Sequence, residues 1–386
     1  MKTFFLLLMG LLFFSPVSFA FKYNGNTIEE NKEYERTKIG DTPSSLKEIS
    51  GMACSRTTEG YFWVHVDEGK SEIYALNPNG SIRQTVKLSG ISKNDDWEDI
   101  CLATLDGVNY ILVGCIGDNN VKDGKSKGKQ KYYIYRFVEP EITGGTVTVS
   151  SSAIETITFT YDGLHNQSDC GDKVSHNAEA LMFDPVKKKI YVVTKHKKEI
   201  NAVYATDWKT GSYTAVLNWV CDLGKTSDKF LYLTAGDISA DGKKALIKNA
   251  TDVLYWERQG EEDFSQTFAR QPQHIAAYKE ENQGEAIAWS HNSRDFYSTG
   301  EGKSVPVYAY LKIDTFTGVS LPETGLLRFQ RSGRFLLIDG PGRESVFLSD
   351  LSGRKIRSGV SNRIDISGLK GIYIIRTGKG ARKISL

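Results

Sequence analysis

Long apolar runs are missing from this 386-residue chain once the first fourteen residues are passed. Nothing later in it reads as a membrane-spanning helix, which needs about 20 apolar residues. Cysteine is scarce, with five in all at Cys54, Cys101, Cys115, Cys170 and Cys221. None forms a C-x-x-C pair or shares zinc-ligand spacing with histidine, which excludes a structural zinc site of the usual kind. There is no G-x-S-x-G elbow and no glycine-rich phosphate cradle, so serine-hydrolase and nucleotide chemistry lose their support. An excess of one charge is also absent: 49 Lys and Arg stand against 47 Asp and Glu, a net +2, which favours no particular partner. The Lys-rich stretch Lys122–Lys131 has no aromatic residues that could stack on bases. It reads as a solvated surface insertion, and nucleic acid is not an expected partner.

What is present begins at the N-terminus. Met1-Lys2, the apolar run Phe4–Phe14, the break at Ser15-Pro16 and the small-x-small Ser18-Phe19-Ala20 read as a secretory signal peptide cleaved after Ala20. The expected mature chain, Phe21–Leu386, is exported and has no transmembrane segment. Export permits disulfides. Cys101 and Cys115 fall on neighbouring strands, where a bridge is one reading and buried thiols acting as small apolar residues are the other. Proline is modest at 9 against 36 glycines, with 19 tyrosines and 18 phenylalanines, a balance that suits many short strands joined by tight turns.

One short pattern recurs. Glu48, Glu98, Glu179 and Glu285 each lead an apolar segment, as in Glu48-Ile49-Ser50-Gly51-Met52 and Glu285-Ala286-Ile287-Ala288-Trp289. A carboxylate at the head of an apolar strand is costly to bury, so its repetition implies a shared task. Three further strand-like runs follow most of these leaders, and four-stranded units are propeller blades. Another unit starts near Thr234-Ala235-Gly236-Asp237. Its register is open: either Thr234 takes the acidic position, or a shifted strand brings Asp237 to the channel. With Thr234 as marker the intervals are 50, 81, 55 and 51, and a blade of about 40–50 residues is normal. The reading is five blades, with a sixth hidden in the long interval as the alternative. The last blade lacks a fourth strand of its own, and Tyr34–Ile39 near the mature N-terminus would supply it and remove the exposed edges.

In a blade the second strand runs antiparallel to the innermost one, so its end lies beside the start of the first. One rim should therefore gather Glu48, Glu98, Glu179 and Glu285 with His65, Asp67, Asp118, Asn119, Lys195, His196, Asn249 and Glu301. Crowded carboxylates must share protons, pair with cations or bind a metal. Oxygen ligands without cysteine favour a hard divalent ion such as calcium. Metal ligands are therefore expected among Glu48, Glu98, Glu179 and Glu285, and ligand-binding groups among Asp67, Asp118, Asn119, Lys195 and Glu301. His65 and His176 are the candidate bases. The competing role for each Glu is structural, as an acceptor for backbone N–H groups of the neighbouring blade.

These segments carry a resemblance. Glu48-Ile49-Ser50-Gly51-Met52, Asp96-Trp97-Glu98-Asp99-Ile100, Gly117-Asp118-Asn119-Asn120, Glu179-Ala180-Leu181 and Gln283-Gly284-Glu285-Ala286-Ile287 resemble a group of secreted bacterial proteins with a propeller related to the TolB type. The match spans nearly all of residues 45–311 and implies a fold more than an activity. Cys115 stands where an Asp is common, and Val66 where an Asn is common. The C-terminal strand-like runs, split by Ser352-Gly353-Arg354 and Gly378-Lys379-Gly380, fit a small antiparallel sandwich. Leu348-Ser349-Asp350-Leu351-Ser352-Gly353-Arg354 and Ile364–Arg376 resemble the C-terminal sorting domain of the type IX secretion system, with Ser349 where such domains usually carry an aromatic. That resemblance implies that the secretion machinery is a partner and that the protein is released or held at the outer-membrane cell surface.

The sequence therefore reads as all-β: a signal peptide at 1–20, a β-propeller at 21–315, a linker at 316–330 and a sorting β-sandwich at 331–386. Two functions fit. One is a module binding a glycan, peptide or small molecule at an acidic, metal-holding channel. The other is a metal-dependent hydrolase of an ester, lactone or phosphoester.

Overall fold

The computed structural model describes residues 22–23, 25–91, 94–118, 131–162, 176–195, 201–224, 231–313, 329–332, 334–338, 346–351, 353–359, 363–377 and 380–386. The leader, Asn119, His196, Cys170 and most of the two insertions in the long interval lie outside these residues.

Five antiparallel sheets surround a common axis. The first blade runs Ile49–Cys54, Phe62–Val66, Glu72–Leu76 and Ile82–Leu88. The second is Asp99–Leu105, Val108–Cys115, Tyr132–Val138 and Glu155–Tyr161. The third is Ala178–Asp184, Lys189–Thr194, Asn201–Asp207 and Tyr213–Leu223, whose outer strand pairs in parallel with the second blade's. The fourth is Ala235–Ile238, Lys244–Lys248, Val253–Glu257 and Gln273–Ile275, and Gln273–Ile275 is a strand the sequence did not reveal. The fifth has Ala286–Trp289, Phe296–Thr299 and Pro306–Lys312, and its fourth strand is Tyr34–Asp41 from the chain's beginning. Each innermost strand touches the next, and the fifth returns to the first. The ring thus closes at five, and the sixth-blade alternative falls.

Side-chain alternation explains why these sequences pack this way. In the second blade, Ile100, Leu102, Ile111 and Val113 join Trp63, Ile73 and Val86 of the first. The intervening Cys101, Ala103, Leu112 and Ile134 turn to Leu181, Phe183 and Val192 of the third. The other junctions repeat this, giving one apolar core between each pair of neighbours. A blade buries both faces, so its strands read as nearly unbroken apolar runs. Close approach at the centre demands small residues: a Cβ on Gly51 would lie 2.7 Å from His65 Nε2 and 2.9 Å from Asp99 Cα. Of the two readings of Cys101 and Cys115, the bridge is not formed. Cys101 lies opposite Leu112 and is a free thiol.

The C-terminal region forms a small sandwich. Phe329–Ser332, Phe335–Ile338 and Arg363–Asp365 make one sheet. Val346–Ser349, Lys355–Gly359, Ile372–Thr377 and Gly380–Ser385 make the other. Leu336 and Ile364 from the first sheet meet Val346, Leu348, Ile375 and Ile384 from the second in a single core. Among the described residues, no helix is long and apolar enough to cross a membrane.

Candidate functional site

The backbone brings strand starts and strand ends to one rim, as antiparallel pairing requires. Asp67 N donates to Glu48 O at 2.9 Å, Glu98 N to Gly114 O at 2.9 Å and Lys195 N to Asn177 O at 2.7 Å. Thr234 N donates to Lys248 O at 2.9 Å and Glu301 N to Gln283 O at 2.9 Å. Thr234 therefore occupies the acidic position of the fourth blade, which resolves the register left open by the sequence.

Asp67, Asp96 and Glu98 converge there. The loop before the second blade is clipped to the end of the first blade's second strand: Asn94 Nδ2 donates to Val66 O at 2.5 Å, and Trp97 N to Asp67 O at 3.1 Å. Asp96, at φ 75°, turns back within this clip. One carboxylate oxygen from each of Asp67, Asp96 and Glu98 lies within 4.8 Å of the others. Ser50 Oγ fixes the base of Glu98, donating to its backbone O at 2.9 Å and approaching Oε2 at 3.4 Å. Glu98 Oε1 is buried without a hydrogen-bond partner. Gly117 leaves room for it: a Cβ there would sit 1.9 Å from Glu98 Oε1 and 2.6 Å from Asp96 Cγ.

On the other side of Glu98, Glu179 is buried and its carboxyl faces that of Glu98 within hydrogen-bond reach. Its Oε1 receives Lys195 Nζ at 3.0 Å and Asn177 Nδ2 at 3.4 Å. Its Oε2 is buried and receives no N–H or hydroxyl donor, leaving the Glu98 carboxyl as the group facing Glu179. Lys195 also lies 3.6 Å from Glu285 Oε1, and Gln283 Nε2 donates to Glu301 Oε2 at 2.5 Å.

A second ammonium, Lys248, is buried beside this group, 3.1 Å from Glu281 Oε2, but so many crowded and buried carboxyls cannot all stay charged. Burial, then the charge of Glu179, holds Glu98 well above the usual carboxylate range. Burial pushes Glu179 up to about 7, against the pull of Lys195. Burial and then Asp96 push Asp67 up to about 7, and burial with Glu285 pushes Glu301 up to about 8. Burial opposes the charge on Lys195, but Glu179 and Glu285 outweigh it and raise its pKa. The rim holds protons that a divalent cation would displace.

The backbone-capping role expected of the glutamates belongs to other residues. Asp99 accepts from Ile100 N at 2.8 Å and, across to the third blade, from Leu181 N at 2.8 Å. Asp237 accepts from Trp289 N of the fifth blade at 2.8 Å. These two aspartates hold blades together, which leaves Glu98 and Glu179 to the channel.

No protein-family model matches this chain, and no curated protein matches it. Among solved structures, a gluconolactonase from Xanthomonas campestris is similar over 72% of this chain and 89% of its own, at 10% identity and a TM-score of 0.39. So distant a likeness carries no argument about chemistry.

Several expected roles change. His65 is fully buried, its Nδ1 is 3.2 Å from Val66 O, and burial lowers its pKa to about 4. It is a packed core histidine rather than a base at the rim. The ring of His176 is stacked on Tyr161, with centroids 4.1 Å apart, and meets Tyr204 edge-on. It belongs to the aromatic packing between the second and third blades. Glu48 is exposed, so it does not share the burial of Glu98 and Glu179. Asp118 is buried as expected near the rim, but its backbone N donates to Asn177 Oδ1 at 2.5 Å and its Oδ2 accepts from Tyr132 at 3.0 Å. Asp96, absent from the expected ligands, is a member of the triad. Strand alternation could not have found it, because the backbone turns through a left-handed conformation at Asp96; its only signal was being an acid close in sequence to Glu98.

Proposed function

We propose that this is an exported β-propeller that binds an oxygen-rich ligand through one divalent cation, calcium by its donor chemistry, held at the channel mouth by Asp67, Asp96 and Glu98. The convergence of three carboxylates, one with a buried oxygen lacking a partner, carries this reading. All available donors are oxygens, which suits a hard ion that takes six to eight of them. Three carboxylates leave coordination positions for water or for hydroxyl, carboxylate or carbonyl groups of a glycan, peptide or small molecule. The test is elemental analysis of the purified protein with thermal melts in calcium and in chelator. About one calcium per chain and a chelator-sensitive melt are expected, both lost in Glu98→Gln. No metal and no chelator effect would sink the reading.

The hydrolase is the second reading. Glu301 supports it, as a half-buried rim carboxyl held by Gln283, a group of the kind that serves as a general base. Calcium-dependent turnover of an ester, lactone or phosphoester panel, abolished in Glu301→Gln, would favour this reading over simple binding.

We infer export from the signal-peptide pattern and from the sorting-domain resemblance of the C-terminal sandwich, which folds around a core of its own. Cell fractionation tests both. Deleting residues 331–386 should trap the protein inside the outer membrane, and unchanged surface or medium levels would count against the sorting role.

A further inference from the structure

The net charge of +2 hides an asymmetry. Residues 331–386 hold 12 Lys and Arg against 4 Asp and Glu, while residues 21–330 hold 36 against 43. The sandwich is strongly basic and the propeller acidic. Part of the surplus is gathered on the outward face of one sandwich sheet. In its strands Phe335–Ile338 and Arg363–Asp365, Leu336 and Ile364 point into the sandwich core. Alternation therefore turns Phe335, Leu337, Arg363 and Asp365 outward, with Phe335 opposite Asp365 and Leu337 opposite Arg363. The guanidiniums of Arg363 and Arg334 both sit against the Phe335 ring, 3.4 and 4.9 Å from its centroid. Asp365 Oδ2, 3.6 Å from Arg334 Nε, is the single acid of this group. The Arg334 side chain is 67% exposed and Leu337 is 38% exposed.

We propose that this face docks on an anionic phospholipid surface, where Arg334 and Arg363 pair with phosphate headgroups and Phe335 and Leu337 enter the interface beside them. A guanidinium fork matches phosphate geometry. A dissolved polyanion would satisfy the cations but would leave Leu337 in water. A bilayer interface takes both, because phosphates there lie over apolar chains. Charge complementarity also selects the side that approaches, since the acidic propeller is repelled by the surface that attracts the sandwich. The proposal goes beyond the channel reading and stands without it.

The test uses vesicles of phosphatidylglycerol mixed with phosphatidylcholine, and co-sedimentation measures the bound fraction. The protein is the chain from residue 21 onward, so that the apolar leader contributes nothing. Chelator is present, so that calcium cannot bridge carboxylates to lipid. Binding to the mixed vesicles but not to pure phosphatidylcholine is expected, and it should weaken with salt. It should fall about tenfold or more in Arg334→Glu/Arg363→Glu and about threefold or more in Leu337→Ser. Lys32→Glu, an exposed propeller change, should leave it unchanged. Equal binding to pure phosphatidylcholine, no binding to either vesicle, or wild-type binding by the double variant would overturn the proposal. Wild-type binding by Leu337→Ser would overturn it too, in favour of a soluble polyanion. If the double variant fails to melt cooperatively, Arg363→Gln is read in its place. That variant should bind about threefold or more weakly, and undiminished binding overturns the proposal.

Discussion

Replacing Gly117 by alanine probes the channel mouth without touching a single charge. A Cβ at this position would come within 1.9 Å of Glu98 Oε1 and 2.6 Å of Asp96 Cγ. Carbon and oxygen prefer about 3.5 Å, so the Glu98 oxygen must retreat by about 1.5 Å. Calcium–oxygen bonds span about 2.3–2.6 Å, a tolerance of a few tenths of an ångström. Glu98 has little room to compensate, since it is buried and its base is fixed by Ser50. The variant should therefore lose Glu98 as a ligand and bind calcium about 100-fold more weakly, equivalent to about 2.7 kcal/mol. Crowding a packed site should also cost about 1–3 kcal/mol of folding stability. Calorimetric calcium titration measures the first quantity, and urea unfolding in chelator the second. The double variant Gly117→Ala/Glu98→Gln supplies a sharper criterion. If both changes act on one ligand, their binding losses will not add, whereas independent sites add. Additive losses, or affinity within a few-fold of wild type in Gly117→Ala, would refute the argument.

Other consequences follow from the same geometry. Asp99→Ala strands the N–H groups of Leu181 and Ile100 and should cost about 1–3 kcal/mol, equally in calcium and in chelator; a calcium-dependent loss would make Asp99 a ligand instead of a blade clasp. Asp237 is held at about 7 chiefly by burial, so folded Asp237 keeps a proton that the unfolded chain releases above about pH 4. Its contribution is therefore fully present below about pH 4 and lost as pH rises through 7, about 4 kcal/mol in total. Asp237→Asn keeps a neutral acceptor for Trp289 N, so in chelator its stability relative to wild type should grow between pH 4 and pH 8, and parallel pH profiles in urea melts would count against this. Removing residues 21–41 takes the closing strand from Pro306–Lys312 and exposes an edge, so the truncated chain should aggregate or lose cooperative unfolding; a monomeric, cooperatively melting product would contradict ring closure by that strand.

The architecture was legible because blade strands obey local rules. Both faces of each strand are buried, so Ile49–Cys54 and Ala286–Trp289 stand out as short apolar runs behind an acid. The closing strand was legible for the complementary reason: the fifth blade ran out of chain, and Tyr34–Ile39 was a segment near the mature N-terminus with no blade of its own. Gln273–Ile275 escaped notice because it pairs over only three residues and follows the short helix Phe264–Ala269, which interrupts the blade. Its identity as a strand comes from its neighbours rather than from its own pattern.

The site was half legible, and the division has a physical basis. Antiparallel strand pairing predicts which residues share a rim, and the structure has Asp67, Glu98, Glu179, Lys195, Glu285 and Glu301 at strand starts and ends there. It does not predict depth. Glu48 and Glu98 occupy equivalent places in sequence, yet Glu48 is exposed while Glu98 is roofed by the Asn94–Trp97 loop clipped to Asp67 and Val66. That clip also creates the triad, because it turns Asp96 inward through a left-handed backbone. Nor does alternation say which acid serves the backbone. Glu98 and Asp99 are adjacent, so they point opposite ways: one toward the channel with an oxygen unclaimed, the other toward Leu181 of the next blade. The Glu98-Asp99 pair thus divides two tasks that the sequence had assigned to one residue. The carboxylate that faces the channel is free to take a ligand only because its neighbour already holds the blades together.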